Sequence, residues 1–282
     1  MTTCIEMHDD VAVIALDNPP VNGLSLGVRR SLLDQLTACS VNPAVSSIVL
    51  TGAGKHFSAG GDLREFGTDN QNTPPFPTEI LRFMDDLRKP IVAAIKGVAV
   101  GGGLELAMGC HYRVAVPDAK IGLPEITLGL LPGAGGTQRL PRLTGMGTAS
   151  EMILTGSVQI AEKLRQTGLF DEIDAEDVVG AAIRLARAKA SQDVAHKRAR
   201  DLTVDPEEAK ESLAHWKNTL SSHPSKEAAQ LCIQALQNAV RLPFDEAIAQ
   251  ERKFFLQLIA SPESKRLRES FLQKRAGTGG DS

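Results

Sequence analysis

The stretch GVAVGGGLELAMGCHYRVAV, residues 97–116, constrains this chain more than any other segment. A short apolar run passes into three consecutive glycines, Gly101, Gly102 and Gly103, and then into a pattern of helical character. Where glycines open a helix, its first peptide N–H groups have no intrahelical acceptor and point outward at the positive end of the helix dipole. A backbone without Cβ atoms can approach a ligand closely there, so the segment suits a developing oxyanion. The loop HFSAGGDL, residues 56–63, again sets small residues after an apolar run and is the candidate for a second donor.

The surrounding chain alternates between two periodicities. Apolar runs VAVIAL (11–16), SSIVLT (46–51) and IVAAI (91–95) have strand length and β-branched content. Between them, residues 26–39 place Leu32, Leu33 and Leu36 at helical spacing, and residues 79–88 do the same with Ile80, Leu81, Met84 and Leu87. This order predicts an α/β architecture, and both glycine loops then follow strand C-termini, where such sheets bind ligands. From about residue 180 Ala, Arg, Lys, Glu and Leu dominate, and no strand pattern is visible through residue 275. The spacing predicts helices near 225–239 and 244–259, with the polar stretch 196–211 as a linker or exposed hinge. Residues 66–78 read as a flexible loop. The expected division is a core over 1–190, a helical region over 191–275 and a disordered Gly-rich tail over 276–282.

Several function classes lose support. A formal net charge of -3 with no long basic run gives no electrostatic reason to expect nucleic acid. Cys4, Cys39, Cys110 and Cys232 form no CxxC pair, so neither a zinc site nor a disulfide framework is indicated, and a reducing cytosol fits best. No stretch approaches the roughly 20 apolar residues of a membrane span, which leads to the expectation of a soluble, unprocessed, cytoplasmic chain. Neither glycine loop fits GxGxxG with its distal acidic residue, nor GxxxxGK[ST], so dinucleotide and P-loop readings lack their fingerprints.

Two carboxylates stand out. Glu105 sits among Leu104, Leu106, Ala107 and Met108, and Glu125 follows Pro124 in IGLPEITLGLLPGAGGTQRL, again between apolar neighbours. Such settings raise a carboxyl's proton affinity and supply acid/base chemistry. Read singly, Glu105 is equally a first-turn residue favoured by the helix dipole, and Glu125 a surface carboxylate. His56 and Ser58 lack a GxSxG elbow and read as loop packing; His111 beside Cys110 makes no ligand set and reads as core. Basic residues in 184–200 suit either phosphate contacts or a solvated helix face.

Taken together, HFSAGGDL, KPIVAAIKGVAVGGGLELAMGCHYRVA and IGLPEITLGLLPGAGGTQRLPRLTG resemble the crotonase, or enoyl-CoA hydratase/isomerase, superfamily over roughly residues 10–190. The resemblance implies a spiral of ββα turns followed by helices, usually in trimers or dimers of trimers. It implies that Gly61 and Gly102 donate backbone N–H groups to a thioester oxygen, and that Glu105 and Glu125 are the two hydratase carboxylates. Ala59, with Gly60, Asp62 and Leu63, matches the loop that contacts substrate and CoA. The implied activity is hydration of 2-enoyl-CoA to 3-hydroxyacyl-CoA in fatty-acid β-oxidation, with 3,2-enoyl-CoA isomerisation as a possible addition. The alternatives are an isomerase only, or a non-catalytic acyl-CoA-binding subunit. No metal or bound cofactor is implied, because CoA enters with the substrate.

The wording of the central blocks is similar to the hydratase part of multifunctional β-oxidation enzymes. The segment PFDEAIAQERKFFLQLIASPESKRLRESFLQKR looks like the helices that lead into their dehydrogenase part. That similarity makes a monomer the alternative to a homo-oligomer, and a separate 3-hydroxyacyl-CoA dehydrogenase a candidate partner.

Overall fold

A computed structural model of the chain describes residues 2–174 and 176–278, with side chains except at residues 221 and 275–278. The near-continuous apolar runs of the sequence become strands buried on both faces. β1 (Thr3–His8) pairs antiparallel with β2 (Val11–Leu16), and β3 (Ser47–Gly52) and β4 (Ile91–Ile95) extend the sheet in parallel. A smaller sheet begins with β5 (Val98–Val100). β6 (Tyr112–Ala115) returns to the large sheet, β7 (Lys120–Gly122) and β8 (Val158–Ile160) complete the small one, and β9 (Glu172–Ile173) closes the large one. Strand order in the large sheet is β1-β2-β3-β4-β6-β9.

Alternate residues of these strands feed two cores, as the period of two in a strand requires. Ala12, Ile14, Ile48, Leu50, Ala93 and Ile95 face one core, whereas Val11, Val13, Val49, Val92, Ala94 and Val114 face the other. Coverage on both sides is why the strands read as unbroken apolar runs rather than alternating ones. The chain leaves the large sheet for the small one at Gly97, whose φ of +63° suits glycine and whose position leaves no room for a Cβ beside the Lys55 carbonyl.

Helices fill the spiral's outer turns: α1 (Leu26–Val41), α2 (Pro77–Asp86), α3 (Gly102–Gly109), α4 (Gly136–Thr144), α5 (Met146–Thr155) and α6 (Val178–Lys189). The C-terminal region adds α7 (Pro206–Thr219), α8 (Lys226–Arg241), α9 (Phe244–Ile259) and α10 (Pro262–Thr278). The α/β class and the helical C-terminal region are as expected from the sequence, and the strands at 11–16 and 91–95 match to the residue.

Two readings need correction. The polar stretch 196–211 is no plain linker, because α7 starts inside it: Asp205 caps the amides of Glu207 and Glu208, and Glu208 accepts the Gly147 amide of α5 at 2.8 Å. The chemistry of an N-cap Asp, Pro at the first helical position and two acidic first-turn residues was present there to be read. The loop 66–78 is tied down by the buried Arg29 of α1, which donates to the carbonyls of Asn70 (2.7 Å), Thr73 (3.3 Å) and Pro75 (2.8 Å). The tail expectation for 276–282 meets helix as far as Thr278, and residues 279–282 lie outside the described ones.

Candidate active site

The two glycine loops are zipped together by backbone. Ser58 N–H donates to Val98 O at 3.0 Å and Val100 N–H to Ser58 O at 3.1 Å, a parallel bridge between the loop after β3 and strand β5. Ser58 Oγ donates to Asn22 O and accepts the Gly60 N–H at 3.1 Å, so this serine is a buried loop brace, as read from the sequence. Gly103 packs so tightly on the Ser58 carbonyl that a Cβ would collide with it. The absence of side chains thus lets the N-terminus of α3 lie directly on the 58–61 loop.

The consequence is a pair of amides side by side. Gly102, the first residue of α3, has no intrahelical acceptor for its N–H. The Gly61 N–H finds no backbone acceptor among the described residues. The two lie close enough that a Cβ on Gly102 would stand 3.4 Å from the Gly61 nitrogen. Ala59 N–H is occupied by Val21 O at 2.9 Å, Gly60 O accepts from Leu24 N–H at 2.8 Å, and Asp62 pairs with Arg64 at 2.6 Å beside the half-buried Leu63. The Arg64 guanidinium holds the Asp62 carboxyl below its ordinary range. A narrow apolar cleft lined by Leu24, Leu32, Ile80, Leu81 and Leu106 opens beside Gly102.

Glu105 and Glu125 meet at this site in contrasting surroundings. Glu105, 3% exposed, directs Oε1 at the loop before α4, where it accepts from Ala134 N–H and Gly136 N–H, both at 2.8 Å. Burial pushes its carboxyl up to about 7, while those amides and the charges of Arg139 and Arg252 pull the other way. Glu125 lies in a 3-10 turn, Pro124–Leu128, close against the glycine that caps α3: a Cβ on Gly101 would be 3.0 Å from its Oε1. Its Oε2 is buried and takes no hydrogen bond among the described residues. Burial raises the Glu125 carboxyl well above the usual range, and the negative charge of Glu105 raises it further.

A third carboxylate escaped the sequence reading. Glu251 of α9 is fully buried and accepts from Gly135 N–H at 2.6 Å, from Thr137 N–H at 3.0 Å and from Thr137 Oγ. Burial, then the charge of Glu105, pushes it up to about 8. A signal existed, because Ala247, Glu251, Phe255 and Leu258 form one buried stripe of α9, and an acid on an otherwise apolar stripe demands a partner.

The remaining candidates separate from the site. His111 is core: its Nδ1 accepts Ile91 N–H at 3.1 Å, and burial pushes the ring down to about 4, keeping it neutral. His56 stands beside Gly97, and its buried Nδ1 has no hydrogen-bond partner among the described residues. Five basic residues of 184–200 meet carboxylates: Arg184 with Asp174, Arg187 with Asp9, Lys197 with Asp171, Arg198 with Asp201 and Arg200 with Asp245.

The ββα spiral thus sets two adjacent amides of its glycine loops beside the paired glutamates Glu105 and Glu125. Residues 6–201 match the family model described as Enoyl-CoA hydratase/isomerase, and the chain belongs to that family of enzymes. Among curated relatives, the peroxisomal bifunctional enzyme of Homo sapiens is 36% identical over 98% of this chain and 38% of its own length. A peroxisomal fatty acid beta-oxidation multifunctional protein of Oryza sativa subsp. japonica is also 36% identical, over 96% of this chain and 39% of its own. The chain therefore spans well under half the length of these relatives. The solved enoyl-CoA hydratase from Bacillus anthracis is 26% identical with a TM-score of 0.61, over 97% of both chains. Among the described residues no helix is long and apolar enough to cross a membrane.

Proposed function

We propose that this chain hydrates 2-enoyl-CoA thioesters to 3-hydroxyacyl-CoA in fatty-acid β-oxidation, with Glu105 as base and Glu125 as acid. One contrast carries the reading: Glu105 Oε1 receives two backbone N–H bonds from the loop before α4, whereas Glu125 has only its own backbone N–H and its Oε2 receives no donor among the described residues. N–H donors favour an ionised carboxylate, whereas a buried oxygen without donors favours the neutral acid. Environments that push two carboxyls apart assign their roles.

In the reaction, the thioester oxygen lies between the Gly61 and Gly102 amides and the acyl chain follows the cleft beside Gly102. Glu105 takes a proton from water as its oxygen bonds to C3. The π electrons move onto the thioester oxygen, where the two amides stabilise the enolate, and Glu125 delivers its proton to C2 as the carbonyl re-forms. Ala59, Gly60, Asp62 and Leu63 form the wall along which the CoA part enters. No resident cofactor or metal takes part in this scheme. Mixing the protein with a 2-enoyl-CoA is expected to remove the absorbance of the conjugated thioester; CoA binding without turnover of any enoyl thioester would instead make it an acyl-CoA-binding subunit.

Isomerisation of 3-enoyl to 2-enoyl thioesters is a second reading, favoured by the same amide pair and by the position of Glu125 against Gly101. The relatives' names support a β-oxidation setting, and they point to peroxisomes rather than to the cytoplasm expected from the cysteines; a 3-hydroxyacyl-CoA product would pass to a separate 3-hydroxyacyl-CoA dehydrogenase. Cell fractionation distinguishes the two compartments, and sizing chromatography distinguishes a monomer from a trimer or hexamer.

The amide pair has its own test. Gly60 adopts a φ of +86°, and a Cβ there would stand 2.8 Å from the Gly102 nitrogen and 2.7 Å from the Val100 oxygen. Gly60→Ala must therefore part the two amides, and kcat is expected to fall by about 10²-fold or more, the usual loss for one oxyanion donor. A circular dichroism spectrum shared with the wild type together with undiminished kcat would rule the pair out.

A further inference from the structure

Four consecutive peptide groups before and at the start of α4 are divided between two carboxylates. The amides of Ala134 and Gly136 donate to Glu105 Oε1, and the amides of Gly135 and Thr137 donate to the two oxygens of Glu251. Glu105 approaches from α3 and Glu251 from α9, more than a hundred residues later in the chain. Glu251 is fully buried and forms no ion pair among the described residues. A buried carboxylate without a cation is costly unless its hydrogen bonds are satisfied, so its three donors fix it tightly to this loop.

We propose that Glu251 is a positioning residue for the hydration reaction: it clamps, from the C-terminal helical region, the loop whose amides orient Glu105. This inference rests on the proposed hydratase reading. A loop held by only one carboxylate can rotate its peptide planes, which would turn the Ala134 and Gly136 donors and with them the Glu105 carboxylate. Small misplacements of a base relative to attacking water cost large factors in rate while leaving substrate affinity nearly intact. The groups whose charges meet around Glu251 are Glu105 of α3, Glu125 of the 3-10 turn, Cys232 of α8 and its own neighbour Arg252, with Arg139 of α4 acting on Glu105. Above about pH 8, where Glu251 itself ionises, its negative charge also helps to keep the proton on Glu125.

Two substitutions separate position from charge. Glu251→Gln keeps the length, loses one acceptor and loses the charge; Glu251→Asp keeps the charge and withdraws the carboxylate from the loop. Both are expected to lower kcat for a 2-enoyl-CoA by about tenfold or more, with KM within about threefold of wild type. In Glu251→Gln the alkaline limb of the pH profile of kcat moves to lower pH, because Glu125 then loses its proton more readily; in Glu251→Asp that limb stays in place.

If kcat in both variants matches wild type, or if KM rises in step with the fall in kcat and the alkaline limb stays put in Glu251→Gln, the inference is overturned. Should Glu251→Gln not fold, the kcat of Glu251→Asp decides: a fall at constant KM supports the clamp and an unchanged value overturns it. A wild-type protein without hydratase activity would overturn the proposed function itself, a result distinct from active wild type with indifferent Glu251 variants.

Discussion

Glu125→Gln is expected to slow hydration of a 2-enoyl-CoA by about 10³- to 10⁴-fold, near the upper range for loss of a general acid, with KM changed only a few-fold. Glutamine has nearly the shape of the carboxyl it replaces, and Oε2 makes no hydrogen bond among the described residues that the substitution would break. What disappears is the proton destined for C2. The variant also carries a stability signature whose sign follows from linkage. Folding raises the proton affinity of Glu125, so its contribution to stability is fully present below the unfolded value of 4.5 and is lost as pH climbs through the raised folded value. The unfolding temperature of Glu125→Gln should therefore fall less than that of wild type as pH rises above 4.5 and through the raised folded value. A rate within tenfold of wild type would remove Glu125 from the chemistry.

Glu105→Gln is expected to cost about 10²- to 10⁴-fold in hydration and to spare 3-enoyl isomerisation by comparison, because only hydration requires an activated water. Both amides that hold Glu105 bond to the same oxygen, Oε1, so the glutamine carbonyl can keep them while its NH2 group replaces the second oxygen. The loss is then chemical rather than structural. With Glu105 pushed up to about 7, the wild-type kcat/KM should decline as pH falls below that value, since the base must be ionised. The variant should lack this acid limb. Equal losses of hydration and isomerisation would show that Glu105 does more than activate water.

Legibility in the sequence followed how locally each feature is encoded. Gly61, Gly102, Glu105 and Glu125 lie within short segments whose glycine and apolar patterns are visible residue by residue, and the structure brings all four together. Strands β2 and β4 were readable because burial on both faces leaves an unbroken apolar run. The β1, β7, β8 and β9 strands were not: β1 and β8 are largely exposed edges, β7 has three residues and β9 has two. Their pairing comes from tertiary neighbours rather than from pattern. Glu251 was missed because its role depends on a contact spanning more than a hundred residues, between α9 and the loop before α4. The tethering of loop 66–78 was missed for the same reason, since a polar, proline-containing composition says nothing about a buried arginine arriving from α1.

A crystal structure with a saturated or otherwise unreactive acyl-CoA bound tests the arrangement most directly. The account predicts the thioester oxygen about 3 Å from both the Gly61 and Gly102 nitrogens, with C2 facing Glu125 and C3 facing Glu105. A thioester bound away from that amide pair, or with C2 out of reach of Glu125 and C3 out of reach of Glu105, would contradict it.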